Sequence, residues 1–418
     1  MGEFVVRGGR RLEGTVRVNG AKNAALPIMA ASILAQGPVV LHDVPDLRDV
    51  AVMTDVLKAV GATVKRSGAD MTIDPRGINQ HVVPAHLMQE MRASIFVMGP
   101  LLARLGRAEA VQPGGCAIGD RPIDLHLYGF RALGADVQDG GGRTVIAGKN
   151  LSPGEIHLAF PSVGATENLM MAASRIPGET RIRNAAMEPE IVDLAQFLEK
   201  LGAVVRGAGT SDIRIVGQEW LGTCEHTIIP DRIEAATLAL GVAATGGHAV
   251  LENCLPDHLP GLWGRLRDVG VRVATEDAER VEIWAPAQYR PAPVSVHTSP
   301  YPGFATDMQP QFLAFLLKIP GVHVVSERVF ENRLGHSREL RRMGAQIVAD
   351  QRVALIYGGR PLVGSVVAAP DLRAGAALVI AALMAEGETI IKGREIIERG
   401  YQQLAERLSL LGADIGVR

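Results

Sequence analysis

The chain has 418 residues, 47% of them hydrophobic, 21% charged and 4% aromatic, with a formal net charge of -2. That length exceeds one ordinary core and fits two domains of roughly 200 residues, while the apolar content excludes a disordered chain. Lys and Arg are dispersed, so no basic field marks a nucleic-acid binder, and three cysteines (Cys116, Cys224 and Cys254) are too few for a disulfide framework or a usual zinc site.

In chain order, Met1-Gly2-Glu3-Phe4-Val5-Val6 lacks the basic and apolar regions of a signal peptide. No run of about 20 apolar residues follows that would span a membrane, so a soluble cytoplasmic protein is expected. Leu12 to Val18 reads as a strand that must pair late in the chain, bringing the termini together. An apolar helix covers Ile28 to Leu34, before the strand Val39-Val40-Leu41. An amphipathic helix then ends in Leu57-Lys58-Ala59-Val60-Gly61-Ala62, and a strand starts at Thr63-Val64.

That closing phrase returns five times, at Leu133-Gly134-Ala135, Leu201-Gly202-Ala203, Val269-Gly270-Val271, Met343-Gly344-Ala345 and Leu411-Gly412-Ala413. The glycines stand about 70 residues apart, beyond the period of a solenoid, so each unit is a small βαβα subdomain. Each glycine fits the position just past a helix end, where positive φ is easy without a Cβ. The apolar pattern recurs as well: Leu169 to Ala173 precedes Thr180-Arg181-Ile182, and Ala374 to Met384 precedes Thr389-Ile390-Ile391. Helices apolar nearly all round are buried; those ending in the glycine phrase face solvent. Six units divide three and three, giving an α/β protein of two similar domains. The expected boundaries are 1–21 plus 231–418 for one, discontinuous domain and 22–230 for the other, which carries the Cys116 loop.

Buried helices starting in the same direction would converge their free N–H groups on an anion. Their starts are expected at Lys22-Asn23, Arg92, Thr306-Asp307 and Asp371-Leu372-Arg373; the outer helices are expected to open at Asp120-Arg121, Asn332-Arg333 and Glu398-Arg399. Gathered in one cleft, Lys22, Arg92, Arg121, Arg333, Arg373 and Arg399 would grip phosphates and carboxylates; singly, each also reads as a surface charge. Cys116 sits in Pro113-Gly114-Gly115-Cys116-Ala117-Ile118-Gly119-Asp120-Arg121, where glycines let the backbone approach a ligand and Arg121 favours thiolate. An inert buried thiol is the competing reading, and the one that suits Cys224 and Cys254. Asp307 fits either an N-cap or a group that takes a proton from a bound hydroxyl.

Asn19 to Pro27, Met91 to Ser94, Pro113 to Leu125, Ser162 to Thr166, Pro230 to Glu234, Thr306 to Gln309, Phe330 to Arg333, Asp371 to Ala374 and Arg399 to Tyr401 together resemble the enolpyruvyl transferases that act on UDP-N-acetylglucosamine. The resemblance runs from end to end and implies a two-domain inside-out α/β barrel. It implies that the enolpyruvyl group of phosphoenolpyruvate passes to the sugar 3-hydroxyl through a tetrahedral ketal, an early step toward peptidoglycan, with no metal or cofactor. By position, Lys22, Asn23, Arg121 and Arg399 would hold phosphoenolpyruvate. Arg92, Arg121, Pro122, Ile123, Asp124, Leu125, Ser162, Val163, Gly164, Asp307 and Val329 would line the UDP-sugar site. Cys116 would protonate the methylene carbon and can carry the enolpyruvyl phosphate covalently, and Asp307 would deprotonate the hydroxyl, with Arg333, Asp371 and Arg373 in support. Phe160-Pro161, Ala305 and Ile396-Ile397 depart from common family residues, which bears on affinity. The sister enzyme using shikimate 3-phosphate typically opens with Ser-Lys-Ser and lacks the cysteine loop, whereas this chain has Ala21-Lys22-Asn23 and Cys116. A non-catalytic UDP-sugar-binding paralogue is the alternative of another class.

Overall fold

The computed structural model describes residues 2–111, 118–119 and 122–418. The glycine phrase performs as its chemistry requires. Gly61, Gly134, Gly202, Gly270, Gly344 and Gly412 all have φ between 88° and 111°. In every copy the glycine N–H donates to the carbonyl three residues back at 2.9–3.0 Å, and the next N–H donates to the carbonyl five residues back at 2.9–3.2 Å. This paired bonding satisfies carbonyls that a helix end leaves orphaned, and it turns the chain sharply. A strand begins two residues after each glycine, at Thr63, Asp136, Val204, Arg272, Gln346 and Asp414.

The chain forms two compact units, one of residues 1–19, 116–120 and 230–418, the other of residues 20–115 and 121–229. Ile118 and Gly119, the described residues of the cysteine loop, belong to the first: the Asn332 N–H donates to the Ile118 carbonyl at 3.0 Å.

In the first unit the helices Arg232–Thr245, Gln309–Leu316 and Leu372–Met384 pack on one another. Their residues are buried almost without exception, which is why their sequence shows no polar face. Outside them lie three four-stranded sheets and the amphipathic helices Pro260–Asp268, His336–Arg342 and Leu404–Leu410. In the second unit Lys22–Ala31, Met98–Leu105 and Val163–Ala173 form the interior, with Arg48–Ala59, Asp124–Ala132 and Pro189–Leu201 outside. Each unit buries its own apolar cluster.

Five of the six sheets share one order: a parallel entry strand, the strand after the inner helix, then an antiparallel pair. In the sheet of Arg107–Val111 a single parallel bridge between Val82 and Glu109 takes the place of the entry strand, and Pro84 follows at once. Proline has no N–H for a ladder, which limits that pairing. The termini do meet, through a different strand from the one expected. Glu3–Arg7 lies between Glu388–Lys392 and Asp414–Val417, antiparallel to both, and completes the sixth repeat. Glu13–Arg17 instead pairs in parallel with His248–Glu252, in mid-chain, as entry strand of the fourth. Among the described residues no helix is long and apolar enough to cross a membrane.

Candidate active site

In the first unit, Asp307 lies in the short 3-10 turn Thr306–Met308, which runs into the inner helix Gln309–Leu316. Neither start takes a side-chain cap. The Asp307 carboxylate instead accepts a bond from Arg333 Nη2 on Oδ1 at 2.8 Å, and from Arg373 Nε and Nη2 on Oδ2 at 3.1 and 3.0 Å. Of the two roles left open by the sequence, the capping one is therefore set aside. Both arginine side chains are 3% exposed and that of Asp307 is 30% exposed, so two buried cations meet a carboxylate that is more accessible than either. Any further donor must compete with these guanidinium groups for the carboxylate lone pairs.

Below this clamp the three inner helices share polar contacts. The Arg373 guanidinium lies 5.2 Å from the centroid of the Tyr401 ring, whose hydroxyl meets Thr237 Oγ1 at 3.0 Å and accepts from Gln311 Nε2 at 2.8 Å. Asp371 caps the helix Leu372–Met384, accepting from the N–H groups of Arg373 and Ala374 at 2.9 and 3.0 Å. The cap fixes the backbone of Arg373 at the helix start. Asn332 and Arg333 precede the helix His336–Arg342. Arg399, half-buried, follows the short helix Arg394–Ile397 and stands before Leu404–Leu410, so Glu398-Arg399 does not open the outer helix. Val329 is held through its backbone, its N–H donating to Glu327 Oε1 at 2.8 Å.

The second unit carries Lys22, Asn23, Arg92, Pro122 to Leu125 and Ser162 to Gly164. Lys22 is the first residue of its inner helix, and its Nζ stands 3.1 Å from Asp49 Oδ2, with side chains 8% and 7% exposed. Asp49 lies in the first turn of Arg48–Ala59, where a negative charge also suits the helix dipole. Arg92 opens the 3-10 segment Arg92–Val97, and Asn23 follows Lys22, half-buried. Ser162 caps Val163–Ala173 through the Ala165 N–H at 3.3 Å. A Cβ on Gly164 would reach His126 Cε1 and Phe96 Cε1 at 3.4 Å, so glycine permits this packing. Pro122 and Asp124 are exposed and Leu125 is half-buried, whereas Ile123 packs into the apolar core. Cys116 and Arg121 lie outside the described residues.

Several charged or polar groups escaped the sequence reading. Asp49 and Glu327 did, and so did His126, whose Nδ1 accepts from Asn168 Nδ2 at 3.1 Å. Burial, helped by Arg92, pushes the His126 ring down to about 3, so it stays neutral, with its proton on Nε2. Glu234 is pushed up to about 7 by burial against the pull of Arg407, whose Nη2 is 2.8 Å from Oε1. Both cysteines read as inert agree with their surroundings: burial pushes Cys224 up to about 11 and Cys254 to about 12.

The family model for EPSP synthase (3-phosphoshikimate 1-carboxyvinyltransferase) matches residues 6–408. Within that family the stronger likeness is specific. The chain is 49% identical over 415 residues to UDP-N-acetylglucosamine 1-carboxyvinyltransferase 2 of Carboxydothermus hydrogenoformans, covering 99% of each. It is 50% identical over 418 residues to UDP-N-acetylglucosamine 1-carboxyvinyltransferase 1 of Symbiobacterium thermophilum, covering 99% of this chain and 94% of the relative. The chain belongs to the UDP-N-acetylglucosamine 1-carboxyvinyltransferase family. Among solved structures it is similar to the enolpyruvyl transferase NikO from Streptomyces tendae, with TM-score 0.89 and 26% identity over 100% of this chain and 98% of that one. EPSP synthase from Acinetobacter baumannii has TM-score 0.78 at 18% identity, covering 100% of both chains, and shares the fold. The two-part α/β architecture with six repeats is thus the enolpyruvyl transferase fold.

Proposed function

We propose that this chain transfers the enolpyruvyl group of phosphoenolpyruvate to the 3-hydroxyl of UDP-N-acetylglucosamine and releases phosphate. The observation carrying this reading is the near-50% identity, over almost the whole chain, to relatives bearing that activity in their names. The product is a peptidoglycan precursor, which makes this a cytoplasmic enzyme of cell-wall synthesis.

Phosphoenolpyruvate brings a phosphate and a carboxylate, and Lys22, Asn23, Arg121 and Arg399 offset and orient that charge. Cys116 delivers a proton to the methylene carbon, making the adjacent carbon electrophilic. The sugar oxygen bonds to that carbon while Asp307 accepts the hydroxyl proton. An alcohol is far more basic than an aspartate at about 3.9, so this transfer accompanies C–O bond formation. In the ketal that results, the bond to the phosphate oxygen breaks, phosphate departs, and a methyl proton returns to the Cys116 thiolate, restoring the double bond. Arg92, Pro122 to Leu125, Ser162 to Gly164 and Val329 hold the UDP-sugar; the clamp on Asp307 supports its part as base. Seated by Asp371, Arg373 orients that carboxylate together with Arg333.

The test of the thiol uses an epoxide phosphonate such as fosfomycin, which a reactive Cys116 captures covalently. Mass spectrometry should find the adduct in the parent and lose it in Cys116→Ser; equal labelling of both would remove Cys116 from the mechanism.

A further inference from the structure

Glu327 stands just past the strand Gly321–Ser326, wholly buried. Among the described residues no basic side chain forms an ion pair with it; four neutral donors hold the carboxylate instead. Thr298 Oγ1 and the N–H groups of Val329 and Phe330 donate to Oε1 at 2.8, 2.8 and 3.1 Å, and Thr306 Oγ1 donates to Oε2 at 2.9 Å. A buried carboxylate is costly unless hydrogen bonds satisfy it, and one so satisfied is a stiff joint between the segments that supply the donors.

Those segments are the ones that matter. Thr306 immediately precedes Asp307. Val329 and Phe330 lead through Glu331 and Asn332 to Arg333, which returns to Asp307 at 2.8 Å. From the same stretch the Asn332 N–H donates to Ile118 in the cysteine loop, and a Cβ on Gly119 would stand 2.4 Å from Glu331 Oε2. Glu327 thus closes a ring: Glu327 to Thr306, Thr306 to Asp307, Asp307 to Arg333, and Arg333 back along the chain to Glu327.

We propose that Glu327 is a positioning residue for the transfer, fixing Asp307 through Thr306 and the UDP-sugar segment through the N–H groups of Val329 and Phe330. This rests on the reading that gives Asp307 and Val329 to the UDP-sugar. Small errors in placement matter because proton transfer from the hydroxyl needs near-contact geometry.

The experiment pairs two near-isosteric variants. Glu327→Gln keeps one acceptor oxygen but loses the charge and puts an N–H donor at the other position; Thr306→Val deletes only the arm to Asp307. Expected for Glu327→Gln is a rise of about 10-fold or more in KM for UDP-N-acetylglucosamine and a fall in kcat, with KM for phosphoenolpyruvate within about two-fold of the parent. Expected for Thr306→Val is a fall in kcat of about 10-fold, with little change in either KM. Kinetic constants of Glu327→Gln within two-fold of the parent, or equal rises in both KM values, would overturn the proposal. A second readout needs no substrate. Amide hydrogen exchange at Val329 and Phe330 should speed up at least 10-fold in Glu327→Ala, while that of the distant strand Glu388–Lys392 stays unchanged. Unchanged exchange at both amides would overturn the joint itself. Faster exchange at both amides in Glu327→Ala, together with parent-like turnover in Asp307→Ala, would instead strike at the site reading.

Discussion

At the C-terminal ends of the six outer helices the same glycine and the same pair of hydrogen bonds recur, with φ confined between 88° and 111°. At the N-terminal ends of the inner helices the repeats diverge. Asp231, Asp371 and Ser162 cap three of them with a side chain. The starts at Lys22, Arg92 and Thr306 have no side-chain cap. The C-terminal turn does one mechanical task, reversing the chain into a strand, and one solution serves every copy. The N-terminal ends present N–H groups and positive dipole to whatever lies ahead of them, so there each repeat is free to specialise.

That contrast predicts large catalytic effects at the inner starts and small, purely structural effects at the C-terminal glycines. The largest is expected at the clamp: Asp307→Ala should lower kcat by about 100- to 10,000-fold, while isothermal titration still finds UDP-N-acetylglucosamine bound. Turnover near that of the parent would remove Asp307 as the base.

Next comes the Lys22–Asp49 pair. Both side chains of this pair are buried, so Asp49→Ala should measurably lower stability in urea unfolding. It should also raise KM for phosphoenolpyruvate more than KM for the UDP-sugar; an unaltered enzyme would show Asp49 to be irrelevant to Lys22.

Acid should act through the buried imidazoles. Burial pushes His126 down to about 3 and His336 to about 4, so each contributes stability above its unfolded value near 6.5 and loses it as pH falls toward those values. The loss between pH 6.5 and 5 is on the order of 2 kcal/mol for each. Glu234 runs the other way: pushed up to about 7, it adds stability that is complete below its unfolded value and lost as pH rises through 7. Denaturant titrations over this range should show a flatter acid limb in His336→Asn and a steeper one in Glu234→Gln. The reverse order would contradict the burial assigned to these groups.

The caps sit at the small end. Gly270→Ala meets nothing within 4 Å, so only its positive φ resists the change, at about 1 kcal/mol. Gly61→Ala should cost more, because its Cβ would fall 2.4 Å from the Gly77 carbonyl oxygen. Both should keep the parent KM values; altered kinetics in either would break the division between the two ends.

The same contrast explains what the sequence made legible. Cap chemistry is local: a helix end, a glycine and a following strand lie within a few residues, so all six copies could be read and placed. The apolar inner helices were equally plain, since burial on every side leaves no polar face. Pairings that depend on distant chain were harder. Nothing within Glu3–Arg7 says that it, and not Leu12 to Val18, joins the last repeat; that follows from how many strands each sheet already holds. At the site, Lys22, Asp307, Arg333 and Arg373 stood out as charges at helix starts, and the resemblance gave them roles. Asp49 and Glu327 did not, because each earns its place through a partner at least 20 residues away. His126 adjoined the recognised stretch ending at Leu125, and only the fold shows it beneath Gly164.

The most direct measurement is phosphate release from phosphoenolpyruvate, with UDP-N-acetylglucosamine and shikimate 3-phosphate offered in parallel. Release with the UDP-sugar alone is the predicted result. Release only with shikimate 3-phosphate, or binding of the UDP-sugar with no release at all, would contradict it.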